Sequence, residues 1–266
     1  MEPDLRQYDL CDPARAQALL ATLGRESGIE AGQRLPPFFH HIYFWDARSP
    51  EVLGRDGHPK VGGLIPDTGL PRRMWAGGRL SFHRSLIAGV KTEKHSTCEA
   101  VQRKEGRSGP LALVTLRHDY FQEKALCVSE QQDLVYREDP SPDTPKPVAP
   151  RAPSEAETAD EVAFSSTLLF RYSALTFNGH RIHYDIEYAR QVEGYDGLVV
   201  HGPLLAQYLI LKAERELGPL AGFSFRATSA LMHTETAELC RKGHHLWVRG
   251  SDGRQCMTAE ATPVSE

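Results

Sequence analysis

Apolar residues recur along this chain in two rhythms, and the difference sorts it into strands and helices. In LALVTLRHDY, Leu111, Leu113 and Leu116 stand among β-branched neighbours, as one face of a sheet requires. Residues 79–82, 93–104, 111–121 and 132–137 form similar short runs between Gly or Pro turns, with EGRSGP as a hairpin loop. A second set covers residues 223–230, 235–240, 245–249 and 256–261, and residues 167–172 read as a strand ahead of it. Asp252-Gly253 between the last two runs is a type I′ hairpin signal.

The helical rhythm is clearest at 203–217. Leu204, Leu205, Tyr208, Leu209 and Leu211 make that segment apolar around most of its circumference, so it has to be wrapped rather than docked on one side. Pro203 suits the first helical position and Gly218 supplies a left-handed stop. Residues 13–28 read as a further helix, with Pro13 at its start, Leu19, Leu20 and Leu23 as its stripe and Gly28 at its end. Residues 186–191 read as a short helix capped by Asp185. The segment LPPFFHHIYFW, residues 35–45, reads as a buried strand or as the approach to a first core helix, and the Gly- and Pro-rich residues 54–72 as loop.

The stretch DPSPDTPKPVAPRAP, residues 139–153, holds six prolines and little that could pack, and SEAETADEV after it adds charge without periodicity. The chain therefore divides into a first unit at 1–138, a linker at 139–164 and a second unit at 165–266.

Composition narrows the function classes. Of 266 residues, 40 % are hydrophobic and 25 % charged, an ordinary globular balance. A net charge of −4 argues against a general nucleic-acid binder, and no apolar run is long enough for a membrane span. The start MEPDLRQYDL has acids where a targeting presequence has bases, so a cytoplasmic protein is expected. Five widely spaced cysteines without a C-x-x-C suggest reduced structural thiols rather than a disulfide framework or a zinc ribbon.

The chemistry gathers between Thr176 and Gly218. FNGHRIHYD and GLVVHGPL place Asn178, His180, Arg181, His183 and Asp185 a short distance before His201-Gly202 at the start of the apolar helix. A helix N-terminus offers unpaired N–H groups and a positive dipole end to an oxygen gaining negative charge. These strings resemble the MaoC-like (R)-specific hydratases. FNGHRIHYD and GLVVHGPL, with LPRRMWAGGRLSFH and EGRSGPLALVTLRHDY, are similar to one branch: mesaconyl-C4-CoA and itaconyl-CoA hydratases and fungal type 2 3-hydroxyacyl-thioester dehydratases.

The resemblance implies an α+β double hot-dog: two antiparallel sheets, each wrapped around a long central helix, packed side by side. It implies an N-terminal dehydratase-like hot-dog and a C-terminal MaoC-like one that carries the site. It places His183 on the catalytic His, Gly202 on the glycine that binds the thioester oxygen, and Asp185 on the acidic position that follows. Asn178 stands where the family has its catalytic Asp, which changes the usual two-residue acid/base scheme. His180 stands on the family's Asn and Arg181 on its Pro.

In this reading His183 deprotonates water, Gly202 N–H holds the enolate oxygen, and Asn178 orients the water. Asp185 either caps its helix or assists the proton transfer. Arg181 is the first candidate to bind a substrate carboxylate, with Arg72, Arg73 and Arg79 as others for a carboxylate or CoA phosphate, and His180 and His201 complete the substrate-binding set. Trp75 and Gly77-Gly78 read as core and turn. No cofactor is implied, CoA entering as part of the substrate, and no metal, although His180, His183 and His201 invite that alternative. Three functions stay in view: hydration of a C5-dicarboxyl enoyl-CoA to citramalyl-CoA, dehydration of 3-hydroxyacyl thioesters in fatty acid synthesis, and catalytically silent acyl-CoA binding. A homodimer of double hot-dogs is left open.

Overall fold

The computed structural model describes residues 4–26, 28–106, 109–139 and 148–265. The tip of the EGRSGP loop and the proline stretch at 140–147 lie outside these residues. The first half contributes β1 Leu5–Asp9, β2 Arg72–Phe82, β3 Thr92–Gly106, β4 Gly109–Gln122 and β5 Ala125–Arg137. The second contributes β6 Thr158–Ala163, β7 Leu220–Ala227, β8 Thr236–Lys242, β9 His245–Gly250 and β10 Gln255–Pro263. All pair antiparallel in the order β1-β3-β4-β5-β2-β7-β10-β9-β8-β6. Each half repeats the other's order, counted from the outer edge to the seam.

The seam is the β2–β7 pairing, from Gly77 opposite Arg226 to Ser81 opposite Gly222. It joins what the sequence suggested as two sheets into one continuous sheet of ten strands. Gly77-Gly78, expected at a turn, sit inside β2 at this seam. A Cβ on Gly77 would meet the Phe225 carbonyl oxygen at 2.5 Å, and one on Gly78 the Phe225 ring at 2.9 Å. The two halves can approach this closely only without side chains there.

Among the described residues four helices accompany the sheet: α1 Pro13–Thr22, α2 Ser166–Thr176, α3 Ile186–Gln191 and α4 Gly202–Leu217. Helix α1 begins as expected behind Asp12 but ends six residues before Gly28. Residues 167–172 lie in α2 and not in a strand. Ser165 Oγ accepts from Leu168 N at 3.1 Å, and Leu169, Tyr172 and Ser173 are buried at helical spacing. The charged stretch after the prolines is also more ordered than its composition suggests, because residues 158–163 form the polar edge strand β6 against β8.

Helix α4 is the core element expected from residues 203–217, with ten of its sixteen residues buried. Among them is Lys212, whose Nζ reaches Asp160 at 3.0 Å on β6 and Glu216 at 2.8 Å. The first half has no counterpart. Between α1 and β2 the described residues hold only the 3₁₀ turns Phe39–Ile42 and Pro50–Val52, so the expectation of a long helix in each half is corrected. The segment 35–45 is too aromatic and too interrupted by Pro36-Pro37 to continue as a helix. No helix of the described residues is long and apolar enough to cross a membrane.

One loop of the first half is docked on the second. Arg181 N donates to Asp56 O at 2.9 Å. Gly57, at φ 89°, passes so close to Gly179 that a Cβ on it would stand 2.0 Å from the Gly179 carbonyl oxygen. Gly57→Ala should therefore lose about 1–3 kcal/mol, the range for a residue forced into a strained backbone region. Urea unfolding measures this, and an unchanged midpoint would show that the loop is not clamped.

Candidate active site

Helix α2 ends on Phe177 in the left-handed region, at φ 52°, and this turns the chain into the loop 178–183. Asn178 Oδ1 accepts from His180 N at 3.0 Å, closing a local turn. A 3₁₀ turn, Arg181–His183, then carries His183 inward. Its Nδ1 lies 2.7 Å from the Val199 carbonyl oxygen. A carbonyl only accepts, so Nδ1 carries the hydrogen and Nε2 keeps a lone pair. The ring stacks on His201, with centroids 3.6 Å apart and planes 20° from parallel. His201 Nε2 is in turn 2.8 Å from Ser173 Oγ.

A cavity of about 850 Å³ lies between the halves beside this stack. His183, Asn178, His180, Gly202 and Arg73 all line it. Gly202 opens α4, and its N–H has no hydrogen-bond acceptor among the described residues. A helix N-terminus thus meets an imidazole lone pair on one wall, the pairing that enolate chemistry requires.

Five of the candidates from the sequence do not border the cavity. Asp185 caps α3, its Oδ1 accepting from Tyr188 N at 3.0 Å, while its Oδ2 is 2.7 Å from Arg181 NH2. Arg181 is held on the outside by Asp185, by the Arg55 carbonyl at 3.2 Å and by the Tyr188 ring at 4.3 Å, so its position does not suit a carboxylate clamp. Arg72 is buried against Glu193 at 2.6 Å. Arg79 is exposed and forked onto Asp133. His201 is fully buried behind His183, where it orients that ring. Arg73 alone of the four arginines lines the cavity, and it has no ion-pair partner among the described residues.

Several lining groups were not legible. His58, from the loop 54–72, has Nδ1 3.0 Å from Asp56 Oδ2, and its ring lies 4.5 Å from that of His180. The spacing Asp-Gly-His in a glycine-rich loop was the available signal. Elsewhere in the cavity wall, buried Glu130 takes His40 at 3.1 Å, His41 at 2.8 Å and Tyr120 Oη at 3.0 Å. His40-His41 had been submerged in an apolar run. Ligand atoms converge in two groups among the described residues, His40/His41/Glu130 and Asp56/His58/His180, and not in the His180/His183/His201 set that the sequence invited.

A scan against family models matches residues 38–233 to hydroxyacyl-thioester dehydratase type 2. The chain belongs to that family. It is thereby an enzyme of hydro-lyase type. It is 42 % identical over 258 residues to the mesaconyl-C(4)-CoA hydratase of Chloroflexus aurantiacus, covering 94 % of this chain and 91 % of that one. Among solved structures, HtdX of Mycobacterium tuberculosis superposes with a TM-score of 0.70 at 16 % identity, over 97 % of this chain and 98 % of the other. A second M. tuberculosis protein, with a double hot-dog fold, gives 0.58 at 16 % identity over 98 % and 95 %. The α+β double hot-dog expected from the sequence is the fold of this chain, built with one helix of full length.

Burial sets the protonation of the site. It pushes His183 down to about 3, with His58 adding repulsion and the Val199 carbonyl working the other way. Burial likewise holds His180 and His201 below the ordinary imidazole range. His183 is therefore a neutral base at physiological pH. Since its pKa is lowered, kcat/KM should hold as the pH falls through ~6.5, where a free imidazole would charge. An acid limb centred there in a pH–rate profile would assign the base to another group.

Proposed function

We propose that the chain adds water across the C=C of an enoyl-CoA thioester that carries a second carboxylate, as mesaconyl-C4-CoA or itaconyl-CoA does, to give citramalyl-CoA. The observation that carries this reading is Arg73: a cavity-lining guanidinium beside His58 and His180, without an ion-pair partner among the described residues. An apolar acyl chain gives such a group nothing to bind, whereas a carboxylate entering the cavity needs a cation to offset its lost hydration. Similarity to a mesaconyl-C(4)-CoA hydratase over nearly the whole chain supports the same substrate class.

In this mechanism the thioester oxygen accepts from Gly202 N–H at the positive end of α4. The Asn178 side-chain amide, whose NH₂ has no partner among the described residues, orients the water. His183 Nε2 removes a proton from that water as its oxygen bonds to the β-carbon. In mesaconyl-C4-CoA, where the C=C is conjugated to the thioester, its electron pair moves toward the thioester as an enolate, and a proton added at the α-carbon completes the product. Itaconyl-CoA, whose C=C lies one carbon further out, first has to reach that conjugated isomer by loss of an α-carbon proton and gain of one at its terminal CH₂. No cofactor takes part, and CoA enters as part of the substrate. The family description supports a second reading, dehydration of 3-hydroxyacyl thioesters in fatty acid synthesis.

A panel of mesaconyl-C4-CoA, itaconyl-CoA and crotonyl-CoA, followed by chromatographic formation of the hydrated CoA thioester, separates the two. Preference for crotonyl-CoA would favour the second. His183→Ala should lower kcat by ~10²–10⁴ while the protein stays folded. Arg73→Leu should cost about 2–5 kcal/mol in kcat/KM for the dicarboxyl substrate, the range for breaking a buried charge pair, and leave crotonyl-CoA unaffected. Arg181→Leu should leave the ratio of the two substrates unchanged, because its guanidinium stands outside the cavity.

A further inference from the structure

Hydration needs two proton-handling positions, one at the water and one at the α-carbon. His183 fills the first. Asn178 cannot carry a proton, Asp185 faces away, and Tyr184 Oη is engaged with the Gly179 carbonyl at 2.8 Å. We propose that His58, backed by Asp56, is the second catalytic residue and hands the proton to the α-carbon. This rests on the hydratase reading above.

The geometry of the pair is fixed on both sides. Asp56 Oδ2 lies 3.0 Å from His58 Nδ1, and Asp56 Oδ1 accepts from the His58 backbone N at 3.0 Å. A carboxylate of this kind accepts, so Nδ1 carries a hydrogen and Nε2 is the working nitrogen. Nε2 has no hydrogen-bond partner among the described residues, and the residue lines the same cavity as His183. Along that wall the rings follow one another, His58 to His180 at 4.5 Å and His180 to His183 at 5.3 Å. Of the three, only His58 has a carboxylate to stabilise its imidazolium. The pair reaches the site through the docking of Gly57 on Gly179 and the Arg181 N to Asp56 O bond.

The charged and titratable groups acting on His58 and its neighbour rings are Asp56, Arg73, His180, His183 and Arg72. Burial and then Arg73 lower the pKa of His58, while Asp56 raises it. A substrate carboxylate on Arg73 neutralises that repulsion and so favours a protonated His58 when the dicarboxyl substrate is bound. The step balances. His183 Nε2 gains the proton of water, the C–O bond forms at the β-carbon, and the π pair becomes the enolate. The His58 N–H bond then breaks as the α-C–H bond forms. One proton is left on His183, and it returns to His58 across His180 or through solvent before the next turnover. Asp56, His58 and His180 also converge as a cation site would, but Asp56 is already engaged with His58 and the positive charge of Arg73 acts on both rings.

The test begins with wild-type hydration of mesaconyl-C4-CoA and compares His58→Gln and Asp56→Asn in full pH profiles. His58→Gln should lower kcat by ~10² or more with KM little changed. Asp56→Asn should lower kcat less and move the alkaline limb of kcat to lower pH, because the imidazolium loses its carboxylate. That shift decides the matter if His58→Gln fails to fold. An active wild type with His58→Gln within threefold in kcat, a change confined to KM, or an unmoved alkaline limb in Asp56→Asn overturns the role of His58 and leaves the hydratase reading intact. Stoichiometric zinc or iron, with activity lost to chelator and restored by metal, also overturns it by making these side chains ligands. A wild type inactive on the whole panel overturns both.

Discussion

A helix that is apolar on nearly every side has to be surrounded, and α4 imposes that condition on the whole molecule. Strands β7, β9 and β10 lie against it from the second half and β2 reaches it from the first. This is why the sheet cannot stop at the boundary between halves. Burying the helix also buries Lys212, and its charge is met by Asp160 from the edge strand and by Glu216 one turn on. The edge strand β6 is thereby tied to the core despite its polar sequence. At the other end the same burial leaves the Gly202 N–H facing the cavity with the dipole behind it. Core packing and an unpaired helix N-terminus on the cavity are two ends of one element.

Desolvation then governs the imidazoles. His183 and His201 are stacked and buried, and neither takes up the second proton of an imidazolium at neutral pH, because no carboxylate within hydrogen-bond reach offsets the lost hydration. A neutral ring with its Nδ1–H committed to Val199 O is a base of defined tautomer. His58, with Asp56 beside it, is the contrasting case: a ring of the same wall whose charged form has a partner. Two histidines in one cavity are thus set apart by what their Nδ1 atoms touch.

The second half was nearly legible in the sequence, because its signals are local. Pro203 with a ring of leucines and Asp185 ahead of a short helix each specify their own geometry within a few residues. Asp252-Gly253 marked the hairpin but not its type: only Gly253, at φ 81°, lies in the left-handed region, and Gly253 N bonds Gly250 O across Ser251-Asp252, so the turn is not type I′. Residues 167–172 failed because a six-residue run this short, TLLFRY, fits either period until its buried face is known, and Ser165 as a cap decides for helix. The wall of the candidate site was legible where it is contiguous, at Asn178, His180, His183 and Gly202, which line one cavity. It was not legible where it depends on distant docking, at Asp56 and His58. Arginine roles were the least readable, since charge alone does not say whether a guanidinium faces Asp133, Glu193, Asp185 or an open cavity.

The missing helix of the first half explains the cavity itself. Where a second core helix would lie, the inner faces of β2, β3 and β5 present Arg73, Lys94 and Gln132 to the cavity, with Tyr120 and Glu130 beside them. An apolar helix packed there would strand these groups without partners, a heavy penalty for buried charge. The 3₁₀ turn Phe39–Ile42 instead supplies His40 and His41 to Glu130, so that the carboxylate is satisfied and ionised: burial alone would raise its pKa, and the two imidazoles hold it well below the usual range. The rest of that face, Ala112, Val114, Leu116, Leu134 and Tyr136, is apolar and is covered by Leu64, Ile65 and Leu70 instead of a helix. One hot-dog keeps its helix and turns its N-terminus to the cavity; the other has no such helix among the described residues and brings Arg73, Lys94 and Gln132 to the same cavity.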